Sequence, residues 1–466
     1  MQQRSSELIE QHPASRRVRR EAGLARRRDV PLDDLAAVPS ANNRPDPIGI
    51  LTDQDRARLQ HLVPIRHGRM SATAFTFYRG AAAVMASDLS SQPTTDLEVQ
   101  LCGDAHLSNF GFYASPEREL VFDINDFDET HPGPFDWDVK RLAASVAIAG
   151  RNNELAPEKI DRAVRATVQG YREMAWECSR VGPLALHYRR VELDQVRELV
   201  KGNKKSTARV EKLNRKATRK NSLRAQSKLT DIVNGRRVIV EDPPLLQRVD
   251  KLLDPDEDLR MREFFDRYLA TLPRHRRLLL DRYALIDLAH KVVGVGSVGT
   301  RCLIVLLESG DGEPLFLQFK EATASVLEPY TGASEFEPGE RVVQGQRLTQ
   351  TMGDIFLGWS NTTGIDGIQR YFYFRQLWDG KGSVEVDVMG SKQLRRYGRL
   401  CGGVLALSHA RSGDASMIAG YIGENETFDR AIARFATDYA DLTELDHEAH
   451  LEAIDSGSVE AVRDLD

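Results

Sequence analysis

Between residues 291 and 380 the chain changes texture. KVVGVGSVGT, RCLIVLLE, the turn SGDGEP and LFLQFKEA read as strand, glycine loop, strand, tight turn and strand. DIFLGWS (354–360) and RYFYFRQLW (370–378) add two segments rich in aromatic and β-branched residues, and GERVVQGQRLTQTM (339–352) has helical spacing. On both sides the pattern is helical: over 72–90, over 139–180 and again after 391. There Phe428, Ile432, Phe435, Tyr439 and Leu442 recur at spacings of 4, 3, 4 and 3, one apolar stripe of a helix. A small antiparallel unit between two helical regions makes this an α+β chain. No internal repeat is visible.

Composition narrows the function classes. The 466 residues suggest about three folding units, or two large ones. Lys+Arg is 64 and Asp+Glu is 69, a net charge of −5, which excludes a uniformly basic nucleic-acid coat but not a local basic patch. The cysteines, Cys102, Cys178, Cys302 and Cys401, are far apart with no CxxC pair, so neither a zinc site nor a disulfide framework is expected and a reducing compartment fits. No apolar run reaches the ~20 residues that span a bilayer. The opening MQQRSSELIEQHPASRRVRR lacks the apolar stretch of a secretory signal. A cytoplasmic protein without a membrane partner is expected. The histidines are scattered with no HExxH, and no GxSxG marks a serine hydrolase.

Two basic stretches stand out. Residues 1–28 carry eight arginines and three acids, and 1–48 reads as a mobile arm. Residues 201–228 hold eleven Lys/Arg against one acid, Glu211. That run is an exposed basic helix or loop, or a surface for an anionic ligand. Without interleaved aromatics it is no stacking platform, and nucleic acid is not the expected partner.

Three constellations carry chemistry. In Gly103-Asp104-Ala105-His106-Leu107-Ser108-Asn109, Asp104 and Asn109 stand five positions apart on a loop after a strand. Such spacing aims a carboxylate at an attacking hydroxyl while an amide oxygen meets a metal. A hairpin, FGFY to ELVFD, then returns the chain to Asn125-Asp126-Phe127-Asp128. Mg²⁺ is held by a few carboxylate oxygens plus substrate phosphates. Asp104, Asn109 and Asp126 therefore read as a base and two metal ligands. Asp123 is a rival to Asp126, since hairpin length favours it. His106 is expected to brace the loop.

The second constellation is Gly294-x-Gly296-x-x-Gly299. A strand follows it, not the helix of a dinucleotide fold, so it suits a flap of backbone amides over phosphates. The third is Lys320, 21 residues beyond Gly299, with Glu340 another 20 residues on at the start of a helix. A buried lysine that reaches phosphates needs a carboxylate to hold it. Glu340 is the expected brace, with Glu328, Glu335 and Glu337 as rivals. No lysine precedes Lys140, so within the chain before Asp104 only an arginine such as Arg79 offers a phosphate-binding cation.

These motifs resemble protein-kinase-like phosphotransferases, most of all the small-molecule branch (aminoglycoside and choline kinase type). GDAHLSN then NDFD resembles the catalytic and metal loops, with Cys102 where that branch has His. GxGxxG, Lys320 and Glu340 resemble the Gly loop, the strand lysine and the helix-C glutamate. Asp138, in WDVKRLA, resembles the buried Asp that anchors the catalytic loop. More widely, FYRGAAAVMASDL, LCGDAHLSNFG, FDINDFDET, WDVKRLAAS and SHARSGDAS are similar to the bacterial family called domain of unknown function 2252, over most of residues 40–450. That family name carries no activity.

The order of parts is inverted relative to an ordinary kinase, because the Gly loop and Lys320 follow the catalytic loop by some 190 residues. The resemblance implies an α+β, two-lobed, protein-kinase-like fold that is permuted, with the helical catalytic lobe first and the small antiparallel β lobe later. The expected division is a mobile arm (1–48), a mainly helical lobe with both loops (49–290), a β-rich nucleotide-binding lobe (291–380) and C-terminal helices packing on the helical lobe (381–466). The expected function is ATP- and Mg²⁺-dependent phosphoryl transfer to an unknown hydroxyl acceptor, a small molecule being favoured. AMP transfer on the same frame, or a non-catalytic anion-binding adaptor, are the alternatives.

Overall fold

The computed structural model describes residues 14–200, 229–249, 255–292, 294–350, 352–364, 366–377 and 382–463. Residues 1–13 and the basic run 201–228 lie outside them.

Prolines and turn residues cut the helical stretches where local chemistry requires. The region 72–90 forms two helices, not one, broken at Ala81, whose φ of −111° and ψ of 35° leave the helical region. The region 139–180 likewise splits, because Pro157 can open a helix but not continue one. The helices that matter below are α1 (Arg16–Ala25), α2 (Ala74–Gly80), α3 (Ala82–Ser90), α4 (Phe135–Asn152), α5 (Pro157–Cys178), α6 (Pro255–Ala270), α7 (Pro338–Thr349), α8 (Ser391–Ser412), α9 (Ala415–Ile422) and α10 (Thr427–Asp455). The sequence stripe Phe428 to Leu442 lies on α10 and is buried throughout. Helices α5 and α8 cross closely: a Cβ on Gly402 would strike the Thr167 carbonyl and one on Gly170 the Arg399 carbonyl.

The strands are β1 (Glu98–Leu101), β2 (Phe110–Ala114), β3 (Leu120–Ile124), β4 (His131–Pro134), β5 (Thr230–Val233), β6 (Arg236–Ile239), β7 (Leu246–Arg248), β8 (Tyr283–Lys291), β9 (Cys302–Ser309), β10 (Pro314–Ala322), β11 (Gly358–Thr363), β12 (Gln369–Gln376) and β13 (Gly382–Ser383). Small antiparallel pairings, β1 with β4 and β2 with β3, sit inside the helical body. The main sheet has six strands in the order β11-β12-β10-β9-β8-β7, every pair antiparallel. The β-rich region expected to begin at 291 takes in two earlier strands, β7 and most of β8. Strand β7 is only three residues long and the first half of β8 is largely exposed, so neither carries a strong sequence signal.

Strand alternation gives the sheet two faces. Leu315, Leu317 and Phe319 of β10 turn to one side, where Phe264 and Tyr268 of α6 cover them. There Tyr268 stacks on Phe374 with ring centroids 3.9 Å apart. Gln318 and Lys320 turn the other way, as do their cross-strand partners Arg375 and Tyr373. Helix α7 joins the sheet to the body, since Val342 and Val343 pack in the same core as Leu101, Tyr373 and the large helices.

The N-terminal segment departs from the expected solvated arm. From Ser15 onward it docks. Arg19 pairs with Asp414 at 2.9 Å, Arg27 donates to the Tyr421 carbonyl, and Leu32 and Leu35 enter the main core. Arg44 is buried between Asp88 and Asp446, at 3.1 and 2.8 Å. The segment reads as solvated because two of its acidic partners, Asp414 and Asp446, lie about 400 residues away.

Candidate active site

Helix α4 clamps the loop that follows β1. Asp138, in its first turn, accepts from the Cys102 and Gly103 amides at 2.8 and 3.1 Å and faces His409 of α8 at 3.2 Å. Ser145 Oγ, two turns on, accepts from the Leu107 amide, and Tyr397 of α8 donates to the Leu107 and Phe110 carbonyls. Gly103 adopts φ +79° with its Cα against the Glu129 carbonyl, so a side chain there would be both strained and blocked. Asp138 thus has the anchoring position expected from the sequence.

These clamps place Asp104, His106, Ser108 and Asn109 along one wall of a cleft of about 450 Å³. Asn125, Asp126 and Asp128 from the returning hairpin line the same space. The Asn109 amide nitrogen ties the two loops, donating to the Asp104 and Asp126 carbonyls at 3.0 Å each. Asp123 does not line the cleft. It is buried beside Arg411, 3.9 Å away, and burial raises its pKa to about 6. Geometry therefore selects Asp126 over Asp123 as the cleft-facing carboxylate.

The opposite wall comes from the sheet and the glycine loop. Gly294 and Gly296 line the cleft, and Gly294 and Gly299 hold φ of +71° and +90°. The helical body grips this loop: Arg69 donates to the Gly294 carbonyl, Arg58 to Val298 O and the Leu59 amide to Gly299 O. Lys320 is 2% exposed at its side chain. Its Nζ stands 3.8 Å from Asp126 Oδ2 and bonds Asp128 Oδ2 directly. Burial works against the lysine charge, but Asp126 and then Asp128 more than offset it, and its pKa is raised. Residues 192 positions apart thus pair, with Asp126 and Asp128 lining the cleft and Lys320 just behind it.

Glu340 does not brace Lys320. It bonds Gln344 on its own helix, and Lys320 takes its carboxylates from the NDFD segment instead. Asp128 fills that place. Besides Lys320 it accepts from Tyr373 Oη at 2.8 Å and Ser297 Oγ at 3.3 Å, so one carboxylate ties the hairpin to β10, β12 and the glycine loop. The neighbour of Glu340 explains the exchange. Arg341 is buried and donates to the Thr130, Asp128 and Thr323 carbonyls, which turns Arg341 rather than Glu340 toward the body. The signal for Asp128 was present in the sequence as the second acid of NDFD.

Arg141 is a further residue that sequence reasoning missed. It lies one helical turn after Asp138 on α4, its Nε 2.6 Å from Asp104 Oδ1. Burial disfavours its charge, yet Asp104 offsets this and its pKa is raised. It stacks over Tyr78 with its guanidinium carbon 4.4 Å from the ring centroid. His106 is buried, with Nε2 3.6 Å from Asp104, and burial lowers its pKa to about 4, so it is neutral near pH 7.

The donor set suits a hard divalent cation completed by phosphate oxygens. Asn109 Oδ1 and Asn125 Oδ1 are buried without hydrogen-bond partners among the described residues, and Asp126 adds a carboxylate. Among the described residues no group of three or more His, Cys, Asp or Glu forms an all-protein metal cage. Mg²⁺ seldom takes such a cage.

Fold and site together define an α+β protein whose polar, mixed-charge cleft lies between a helical body and an antiparallel sheet. The chain belongs to a bacterial family described as "uncharacterized protein conserved in bacteria (DUF2252)", whose model matches residues 58–453. No curated protein and no solved structure matches it. No helix among the described residues is long and apolar enough to cross a membrane.

Proposed function

We propose that the protein is an ATP- and Mg²⁺-dependent phosphotransferase with a permuted kinase-like arrangement. The observation that carries this reading is the pairing of Lys320, buried just behind the cleft, with Asp126 and Asp128, which line the same cleft as Asp104 and Asn109. Strand, glycine loop, strand, lysine strand, helix is also the order of the kinase small lobe. Here β8, residues 294–299, β9, β10 and α7 follow it.

Each residue then has a task. Asp104, oriented by Arg141, accepts the proton of the acceptor hydroxyl. The acceptor oxygen forms the new bond to the γ-phosphorus. The bond to the bridging oxygen breaks, and ADP leaves with the electron pair. Lys320 grips phosphate oxygens, its ammonium positioned by Asp128, which Tyr373 in turn anchors. Asn109 Oδ1 and Asp126 would hold Mg²⁺, which when bound neutralises phosphate charge. The glycine loop, fixed by Arg58 and Arg69, covers the phosphates and limits water. Catalysis rests on positioning and charge neutralisation.

The test is a thermal-shift measurement with ATP and Mg²⁺, followed by a metabolite screen read by mass spectrometry. Phosphate added to an acceptor supports the reading, AMP added assigns nucleotidyl transfer, and an absent nucleotide shift removes the enzyme proposal.

A further inference from the structure

The cations around the cleft are unequally accounted for. Lys320 is paired with Asp128 and Asp126. Arg375 donates to Gln318 at 2.8 Å, and Arg58 to the Val298 carbonyl. Arg79, the next-to-last residue of α2, lines the cleft yet makes no side-chain hydrogen bond or ion pair among the described residues, and its Nε is buried. A partly buried guanidinium without a counter-charge is unfavourable by itself. Burial accordingly lowers its pKa, with Asp104 and Asp387 pulling it back in part.

Its location separates it from Lys320. Arg79 acts electrostatically on Asp104 and His106, whereas Lys320 feels Asp126, Asp128, Tyr373 and Arg375. Its main chain runs against the glycine loop, where a Cβ on Gly296 would lie 3.2 Å from Arg79 O. Arg79 therefore sits at the Asp104 end, beneath the loop, where an acceptor must lie if Asp104 takes its proton.

We propose that Arg79 binds an anionic group carried by the acceptor, a phosphate or a carboxylate, and so sets the acceptor hydroxyl at Asp104. This rests on the phosphotransferase reading. It names the substrate class as an anionic hydroxyl compound. The planar fork of a guanidinium matches both anions in a two-bond geometry that an ammonium does not.

The experiment has two arms. In the first, melting temperatures of wild type, Arg79→Met and Lys320→Met are measured with inorganic phosphate and, separately, with ATP and Mg²⁺. Phosphate is expected to stabilise wild type and Lys320→Met but not Arg79→Met, and ATP–Mg²⁺ to stabilise wild type and Arg79→Met but not Lys320→Met. A phosphate shift absent from wild type, retained in Arg79→Met, or lost only in Lys320→Met overturns the proposal. A phosphate shift that depends on Arg79, with no shift from ATP–Mg²⁺ in any variant, leaves the anion site standing and removes the phosphotransferase reading. In the second arm, hydroxy acids and sugar phosphates are compared with their neutral parent alcohols. Arg79→Met is expected to raise KM for anionic acceptors about tenfold or more while leaving the KM for ATP unchanged, with Arg79→Lys recovering part of the loss. A rise confined to the KM for ATP assigns Arg79 to the nucleotide and overturns the acceptor role.

Discussion

One wall of the cleft comes from a single stretch of chain, residues 103–128, and is clamped from behind by Asp138, Ser145 and Tyr397. The other is assembled from strands between 283 and 376 and reaches the first through Asp128 and the ties on the glycine loop. In the first wall Asp104 and the loop backbone are bonded within or just behind it. The second holds one buried ammonium that depends on a carboxylate from across the gap. The contrast separates a loop held in place from behind and a buried cation whose charge is offset by carboxylates from the facing wall.

The largest expected effect breaks the first wall at its chemistry. Asp104→Ala should lower turnover by about 100-fold or more while ATP affinity, read by calorimetry, stays near wild type. Unchanged turnover would sink the base assignment. Breaking the clamp behind it comes next. Asp138→Ala leaves the Cys102 and Gly103 amides buried without their acceptor and should cost about 3 kcal/mol in urea unfolding.

Cutting the link between the walls should cost less, because Asp126 stays near Lys320. Asp128→Asn should lose about 2 kcal/mol and weaken ATP binding, both measured against Lys320→Met. Glu340→Gln sharpens the same comparison from the other side. It should change stability by less than about 0.5 kcal/mol, and an effect as large as that of Asp128→Asn would restore Glu340 as the brace.

A pH-dependent effect tests the packing of the body that carries the first wall. His450, buried against His67 with nitrogens 2.8 Å apart, has its pKa lowered to about 3, first by burial and then by His67 and His447. Between that value and its unfolded value near 6.5 the unfolded chain binds the extra proton. Stability from this group is therefore full above about pH 6.5 and lost as pH falls toward 3, by at most about 1.4 kcal/mol per pH unit. His106, lowered to about 4, acts with the same sign, while Asp88 and Asp123, raised to about 6, act with the opposite one. His450→Gln should flatten the slope between pH 6.5 and 4, and a slope equal to that of wild type would show that this histidine is not held neutral.

Much of the acidic wall was legible, because Asp104, Asn109, Asp126 and the Asp138 anchor lie within 35 residues and short hairpins leave few ways to arrange them. The antiparallel unit was legible too, since β-branched and aromatic alternation reports a two-faced sheet. The brace of Lys320 was not. Spacing favoured Glu340, yet Arg341 takes the inward face of α7 and turns its neighbour along the helix. The N-terminal arginines misled for a related reason: their charge is visible, but two of the acids that pair with the segment, Asp414 and Asp446, lie at the other end of the chain. Sequence alone determined which side chains can carry charge and chemistry, and which short segments hold them. Only the tertiary structure decided which opposite charges meet, because burial makes pairing obligatory without fixing the partner, and the partner is chosen by how helices and sheet stack across nearly two hundred residues.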